Sequence, residues 1–315
     1  MQTKSFSMKM KDGTEIFLNR WMPDNESDIK GVVQLHHGIA EHSMRYDRIG
    51  SVMAENGYVF NAYDMRGHGK TAETALNNGT GLFGKLADYN GFNIAIEDLF
   101  TVTNELKKDF PDKKVIILGH SFGSFVSQGF IEKYGSYVDG CILLGTAGPR
   151  YFTIGAGKVL AKIVKKFKGA DYISPLLDKI AFGSYNKRIS EKKSKHGNDW
   201  LSKNESNIHL YEMDNWCGFK LTTSFFVDLL CGLSQIHKMS NIKSIPKDLP
   251  VYFLYGTEDP VGTYGKTIKK LYSIYNKTGM SNVNIKAYEG DRHELLNEDN
   301  KETVEKDIIS WISQI

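Results

Sequence analysis

The sequence predicts an α/β fold with a mostly parallel central sheet, an antiparallel start, flanking helices and an inserted helical cap. Short β-type runs alternate with longer helical patterns through the first half of the chain. Roughly 100 lysine-rich residues with few β-type runs then separate two strand patterns, which is too long for an ordinary connection. We therefore predict a core of residues 1–149 and 242–315 and a cap of residues 150–241.

Individual elements follow from local patterns. Residues 5–10 and 15–21 flank Asp12-Gly13, a hairpin turn signal, so the first two strands are predicted to pair antiparallel. Further strands are predicted at 31–35, 58–63, 115–118, 141–144, 251–255 and 283–288. Helices are predicted near 44–56, 92–108, 122–134 and 262–276 and at the end of the chain, and Gly-rich turns up to about residue 90.

Composition limits the class of protein. The chain has 315 residues, 41% hydrophobic and 24% charged, which is typical of a globular protein. Its 40 basic and 37 acidic residues predict no nucleic-acid partner. The three cysteines, Cys141, Cys217 and Cys231, match neither a disulfide framework nor a zinc spacing.

With no signal-peptide pattern at Met1 and no spanning apolar run, we expect a soluble, cytoplasmic protein without metal or cofactor. The sequence carries no signal for an oligomeric state.

The segment Gly119-His120-Ser121-Phe122-Gly123 lies between a predicted strand and a predicted helix. Its glycines permit a tight turn that lifts the serine above the sheet, and the helix N-terminus lies beneath it. With 30 glycines in the chain, about 0.2 chance matches to this pattern are expected, so the strand–turn–helix setting carries the argument. Ser121 is therefore a candidate nucleophile.

A serine nucleophile needs a base and an orienting carboxylate. Asp259 and His293 each follow a predicted strand, and the order Ser, Asp, His is that of α/β-hydrolases. Glu258 and Asp291 are rival acids, but an Asp before Pro260 suits a loop turned back over the sheet. The alternative is that the aspartate only opens a turn and the histidine lies in a surface loop.

An oxyanion hole requires two backbone N–H groups. We expect one from Phe122, directly after the nucleophile, and the other from Ile39, in the loop after the strand at 31–35.

Five segments together resemble the monoacylglycerol lipase and lysophospholipase branch of the α/β-hydrolases, often grouped with the serine aminopeptidase type. They are HGIAEHSMRY at 37–46, DMRGHG at 64–69, GHSFG at 119–123, Asp259-Pro260 and His293-Glu294. The resemblance covers nearly the whole core in the right order, and it is more specific for fold and triad than for substrate.

The resemblance implies the α/β-hydrolase fold, a triad of Ser121, His293 and Asp259, and a helical cap over the site. It also implies that Glu41, Arg45 and His120 form a polar pocket for the leaving alcohol. An equally weighted alternative is a structural Glu41–Arg45 pair that holds the oxyanion loop. Ala40 departs from the pattern, since several of these lipases have Gly there.

The first half of the predicted cap is basic. Residues 151–200 contain eleven basic and four acidic residues, a formal balance of +7. Within residues 158–168 one helical face is predicted to carry Val159, Leu160, Ile163, Val164 and Phe167. Such a helix could lie on an anionic membrane, or its apolar face could pack on the protein with its lysines simply solvated.

These observations predict a serine hydrolase of carboxylic esters, with monoacylglycerols, lysophospholipids or smaller esters as substrates. The first alternative is an aminopeptidase or amidase on the same fold, which would need acidic cap residues for a substrate ammonium group. The second is an inactive binding protein, which has no need of an intact Ser121, Asp259 and His293.

Overall fold

The computed structural model describes residues 1–189 and 197–315, so part of the basic segment, residues 190–196, lies outside the described residues. Eight strands form one sheet in the order β1-β2-β4-β3-β5-β6-β7-β8. The strands are β1 Gln2–Lys9, β2 Glu15–Met22, β3 Gly31–His36, β4 Tyr58–Tyr63, β5 Lys114–His120, β6 Gly140–Leu144, β7 Val251–Gly256 and β8 Val283–Tyr288.

The sheet begins antiparallel and continues parallel. Strand β1 pairs antiparallel with β2, and β2 pairs antiparallel with β4, whereas the remaining neighbours run parallel. Gly13 supplies the positive φ, +85°, that the turn between β1 and β2 requires. The predicted fold class is confirmed by this topology.

Helices cover both faces of the sheet. They are α1 Asp47–Glu55, α2 Gly69–Asn77, α3 Gly91–Asp109, α4 Phe122–Tyr134, α10 Lys266–Lys277 and α11 Lys301–Ile312. The central strands β3, β4, β5, β6 and β7 are buried almost throughout, because their continuous apolar runs face helices on both sides. Helix α2 lies in the Gly-rich stretch before residue 90, for which only turns were predicted. It is short and polar, and Thr71 fixes it by accepting from Phe17 N and donating to Asp64 O.

Among the described residues between β6 and β7, the longer helices are α5 Tyr151–Lys168, α6 Pro175–Phe182, α7 Glu205–Met213 and α8 Thr223–Ile236. The short helix α9, Met239–Ile242, leads back to β7. Helix α8 packs on α5 of the insertion and also on α3 and α4 of the core. Gly232 makes the close approach to α3 possible, because a Cβ there would collide with the ring of Phe92. The division into core and cap stays a prediction.

This topology gathers four loops at one edge of the sheet. The loops that follow β3, β5, β7 and β8 contain Ile39, Ser121, Asp259 and His293, respectively. Since the carboxyl ends of parallel strands lie at the same edge, residues far apart in sequence become neighbours there.

Candidate active site

Ser121 occupies a strained turn between β5 and α4. Its φ is 53° and its ψ is −120°, a conformation that costs a non-glycine residue about 1–3 kcal/mol. The surrounding backbone holds it there: Ser121 N donates to Leu144 O at 3.0 Å, and Ser121 O accepts from Ser124 N at 2.9 Å. The side chain is thereby presented to a cavity that Ser121 lines.

The two glycines of the turn are required by space. A Cβ at Gly119 would collide with Ser127 Oγ, and a Cβ at Gly123 would collide with the carbonyl oxygen of His36. The turn can therefore pack against β3 and α4 only with glycine at both positions.

His293 and Asp259 form a buried pair. The His293 Nδ1 atom lies 3.0 Å from Asp259 Oδ2, and both side chains are at most 1% exposed. The second carboxylate oxygen, Oδ1, accepts from Val261 N at 2.8 Å. The imidazole ring lies between the rings of His120 and Trp200, at centroid distances of 4.9 and 5.1 Å. These contacts fix the orientation of the ring.

The link from the nucleophile to the base is not formed in this structure. His293 Nε2 is buried and has no hydrogen-bond partner within the described part of the chain. Both His293 and Ser121 line the same cavity. Catalytic hydrogen bonds of this kind often tighten only when substrate binds.

Of the three candidate acids, Asp259 is the one that contacts His293. Glu258 is half exposed and lies 3.7 Å from the Arg292 guanidinium. Asp291 forms no ion pair with His293, and its Oδ2 atom has no hydrogen-bond partner among the described residues. The geometry therefore favours Asp259 as the orienting carboxylate.

Of the two predicted oxyanion donors, one directly follows Ser121 in the chain and the other lines the same cavity. Phe122 is the first residue of α4, so its N–H has no partner within the helix. Ile39 lines the cavity. The following residue, Ala40, adopts φ +53°, the left-handed conformation that glycine takes at least cost. Its carbonyl accepts from Gly218 N at 3.0 Å, so a turn of the inserted region fastens the loop in this conformation.

Glu41 is the centre of a buried polar network behind this loop. Its Oε1 atom accepts from Gly38 N at 2.6 Å and from Tyr46 Oη at 2.9 Å, and lies 3.0 Å from His120 Nδ1. Its Oε2 atom pairs with Arg45 Nη1 at 2.8 Å. Glu41 and His120 line the cavity. Glu41 thus holds the oxyanion loop and also faces the space where substrate would bind.

Arg45 connects two loops of the site. It donates to both carboxylate oxygens of Glu294 at 2.7 Å, and Asn207 of the inserted region donates to Glu294 Oε2, also at 2.7 Å. Arg45 is not among the described residues that line the cavity. The geometry favours the structural interpretation for Arg45, while a substrate role for Glu41 and His120 stays a prediction. The sequence analysis assigned no role to Glu294.

Charges in the network compensate one another. Burial acts to raise the pKa of Glu41, but His120 and Arg45 outweigh it and hold that pKa well below its usual value. Burial also acts to raise the pKa of Glu294, but Arg45 outweighs it and lowers that pKa below its usual value. For His120, burial acts to lower the pKa, but the hydrogen bond and charge of Glu41 raise it overall. Two ionised carboxylates therefore face an arginine and a histidine that retains its proton more strongly than usual.

The cavity has a volume of about 830 Å³. Its polar lining includes Ser121, His293, Glu41 and His120. Apolar side chains from the inserted helices form much of the remaining wall: Ile154, Leu160, Leu177, Phe226, Leu229 and Leu233. Of two neighbouring aromatic residues on α8, Phe226 lines this space, whereas Phe225 is buried beside Phe122. The site can therefore bind a molecule with a polar reacting end and an apolar tail.

One group of three potential metal ligands lies nearby. His42, Asp214 and Cys217 place ligand atoms within 4.8 Å of one another where the inserted region meets the oxyanion loop. His42 Nε2 is hydrogen-bonded to Asp214 Oδ2 at 2.8 Å, and burial raises the pKa of the Cys217 thiol well above its usual value. The three side chains thus form a contact between a turn of the inserted region and the oxyanion loop, and Cys217 takes part in it as a neutral thiol.

An eight-stranded sheet with a serine on a strained turn after β5 and a buried histidine–aspartate pair after β7 and β8 is the architecture of α/β-hydrolases. Residues 27–300 match the family model described as serine aminopeptidase, S33, and the chain belongs to this family.

Relatives are found among lipases and esterases. A monoglyceride lipase of Rattus norvegicus is 25% identical over 309 residues, covering 96% of this chain and 88% of the relative. A monoacylglycerol lipase of Mycolicibacterium smegmatis is 25% identical over 301 residues, covering 95% and 93%. The structure of a thermostable carboxyl esterase from Bacillus coagulans, solved with glycerol, superposes with a TM-score of 0.89 at 28% identity, covering 100% and 99%. The predicted family and enzyme class are confirmed: the protein is a hydrolase of the esterase and lipase type.

Proposed function

We propose that the protein hydrolyses monoacylglycerols and related single-chain carboxylic esters through an acyl-enzyme on Ser121. The observation that carries this proposal is a cavity of about 830 Å³ that is lined both by Ser121 and His293 and by apolar side chains of the inserted helices. Monoacylglycerol esters are also supported by the similarity to the rat and mycobacterial lipases, which are named for this substrate. The similar esterase from Bacillus coagulans was solved with glycerol.

The mechanism follows from the positions of the buried groups. His293 Nε2 takes the proton of Ser121, whose Oγ attacks the ester carbonyl carbon, and Asp259 stabilises the imidazolium. The amides of Ile39 and Phe122 stabilise the oxyanion. His293 then protonates the leaving alcohol. Water, deprotonated by the same histidine, hydrolyses the acyl-enzyme and regenerates Ser121.

Glu41 and His120 are proposed to bind the leaving alcohol. They line the cavity, and a carboxylate beside an imidazole offers an acceptor and an N–H donor for hydroxyl groups such as those of glycerol. Arg45 and Glu294 are proposed to position them, because this pair fixes the far side of Glu41.

An aminopeptidase is the alternative that the family description raises, but the carboxylates of the cavity do not favour it. Glu41 and Glu294 share Arg45, and Asp178 pairs with Lys220 at 2.9 Å. A substrate ammonium would have to compete with these cations, whereas the apolar wall offers an acyl chain a favourable environment.

A panel of substrates tests the proposal. We expect monoacylglycerols and p-nitrophenyl esters of increasing chain length to be hydrolysed, with activity lost in Ser121→Ala. Lysophospholipids of matched acyl chain and aminoacyl p-nitroanilides complete the panel. If the anilides were the better substrates by kcat/KM, the ester proposal would be wrong.

We also propose that the inserted region contacts anionic membrane surfaces through residues 158–168. The apolar face predicted for α5 is divided: Leu160 is partly buried against the core, whereas Val159, Ile163 and Phe167 are 57%, 48% and 75% exposed. Lysines surround the exposed set, an arrangement suited to an anionic bilayer.

Among the described helices, none is long and apolar enough to cross a membrane. The free cysteines support a reducing location such as the cytoplasm.

Liposome co-sedimentation tests the membrane proposal. We expect binding to phosphatidylserine liposomes that weakens with salt and is lost in Ile163→Ser/Phe167→Ser. Leu76→Ser, which changes a similarly exposed leucine on α2, is the matched control. Equal binding to neutral liposomes would contradict the electrostatic basis of the proposal.

A further inference from the structure

Arg150 is a cation that lines the cavity and has no counter-charge in the described part of the chain. It precedes α5, where the chain leaves β6, and lines the same cavity as Ser121. Its Nε atom is buried and has no hydrogen-bond partner within residues 1–189 and 197–315. No carboxylate of residues 1–189 or 197–315 forms an ion pair with it. The Arg150 side chain hydrogen-bonds to the Tyr185 side chain, but this partner carries no counter-charge. A partly buried guanidinium without a counter-charge is costly, and such groups in native proteins are usually satisfied by a ligand or a counter-ion.

The groups beside Arg150 are neutral. Burial raises the pKa of the Tyr185 phenol, and Arg150 lowers it only in part. Burial lowers the pKa of His237 to about 4, with smaller contributions in the same direction from Arg150 and Lys270. Near neutral pH neither group carries a negative charge, so neither can compensate the guanidinium.

Two other cations near the cavity, Arg45 and Lys220, differ from Arg150 in this respect. Arg45 lies between Glu41 and Glu294, and Lys220 pairs with Asp178. Their charges are matched within the protein.

We infer that Arg150 binds a carboxylate or phosphate group carried by the ester substrate, so that anionic single-chain esters are preferred to neutral esters of the same size. This inference rests on the proposed ester hydrolase function and narrows its substrate class. A guanidinium binds both anions through two parallel N–H···O bonds, which suits a group near the end of an apolar cavity. Residues 151–189, with eight basic and two acidic residues, add a positive potential that attracts anions.

Two substrate pairs test the inference and distinguish the two anions. Mono-p-nitrophenyl glutarate is compared with p-nitrophenyl pentanoate, and oleoyl lysophosphatidic acid is compared with monooleoylglycerol. We expect the anionic member of at least one pair to have the higher kcat/KM. Arg150→Gln should lower the anionic-to-neutral ratio of kcat/KM roughly 10- to 100-fold, the size of a charge-assisted hydrogen bond, and Arg150→Lys should restore part of it. Lys238→Gln, which changes an exposed lysine near the end of the inserted region, should leave the ratio unchanged.

A preference in the glutarate pair alone identifies a carboxylate, and one in the lipid pair alone identifies a phosphate. Equal hydrolysis within both pairs by the unmodified protein, or an equal loss for both members in Arg150→Gln, would overturn the inference.

Calorimetric titration of Ser121→Ala protein separates this inference from the proposed function. There the anionic ester should bind at least tenfold more weakly after Arg150→Gln, whether or not Ser121 is the nucleophile. An unchanged dissociation constant would overturn the anion site. Hydrolysis that persists in Ser121→Ala would instead overturn the proposed function. Thermal melting of each variant verifies that it is folded.

Discussion

The edge of the sheet and the underside of the inserted helices form the two sides of one cavity, and they differ in how charge is handled. At the sheet edge the charged groups of the site are paired: Asp259 faces His293, and Arg45 lies between Glu41 and Glu294. On the helical side many of the lining side chains are apolar, and Arg150 has no counter-charge among the described residues. The comparison suggests that the sheet edge is organised before substrate arrives, whereas the helical side is completed by the substrate itself.

The same contrast extends to exposure. Strands β3, β5 and β7 are buried almost throughout. Helix α5 has only Ile154 and Ala161 fully buried, and Phe152 and Phe167 are 87% and 75% exposed. The residues proposed for catalysis thus lie on the more buried layer, which suits chemistry that needs fixed geometry.

The largest expected effect separates Asp259 from its neighbour. Asp259→Asn removes the charge that stabilises the imidazolium and orients His293, so we expect kcat to fall about 10⁴-fold. Glu258→Gln changes a half-exposed carboxylate one residue away and should alter kcat by less than about twofold. Steady-state hydrolysis of a p-nitrophenyl ester measures both. Similar losses in the two variants would mean that the acid has been assigned wrongly.

The next effect concerns the buried charge network. Arg45→Gln leaves the Glu41 and Glu294 carboxylates without their shared cation, and we expect the free energy of unfolding to fall by about 3–5 kcal/mol. Lys133→Gln, which breaks a mostly exposed pair with Glu97, should cost at most about 1 kcal/mol. Urea denaturation at pH 7 provides both values, and equal costs would contradict the network.

The network also predicts a pH dependence with a definite sign. The pKa values of Glu41 and Glu294 are lowered in the folded protein. Their stabilisation is therefore fully present above the ordinary glutamate pKa of about 4.3 and is lost as the pH falls through the lowered values. Arg45→Gln should reduce the loss of stability in this acidic range. An unchanged acid limb in the denaturation profile would contradict the assignment.

A smaller effect tests the apolar wall. Leu230 lines the cavity on α8, and Leu230→Trp should shorten the space available to an acyl chain. We expect kcat/KM for long-chain p-nitrophenyl esters to fall about tenfold, with short-chain esters much less affected, because the lost apolar contacts belong to the distal part of the chain. Leu176→Trp, at an exposed position of α6, is the control. A uniform loss at every chain length would place the acyl chain elsewhere.

The smallest expected effect lies at the junction of the two regions. Asp228 of α8 accepts a hydrogen bond from Gly91 N at the start of α3, and burial raises its pKa to about 6. The stability that its neutral form contributes is present below the ordinary aspartate pKa of about 3.9 and is lost as the pH rises through 6. Asp228→Asn should remove this slope and raise the free energy of unfolding at pH 7 by about 1–2 kcal/mol. A slope unchanged between pH 4 and 6 would contradict the shift.

The sequence predicted the sheet and the residues at its edge well, because each motif directly follows a recognisable strand. The order of Ser121, Asp259 and His293 along the chain was enough to expect them at one edge, since parallel strands end together. Strand β8 spans Val283–Tyr288, as predicted.

Contacts between residues that are far apart in the chain could not be predicted from the sequence. Glu294 and Arg45 are 249 residues apart, so no local pattern indicates their pairing. The missing counter-charge of Arg150 is likewise a property of the whole surrounding space. For α5, the hydrophobic periodicity predicts one apolar face. It does not indicate which residues of that face are buried, and in the structure Leu160 is partly buried whereas Phe167 is exposed.

The most direct test is labelling with a fluorophosphonate, followed by intact-mass measurement and peptide mapping. We predict a single adduct on Ser121, no adduct in Ser121→Ala, and normal labelling in Ser51→Ala, which changes a serine on α1. A folded protein that takes no label, or an adduct that persists in Ser121→Ala, would contradict the proposal that this serine is the nucleophile.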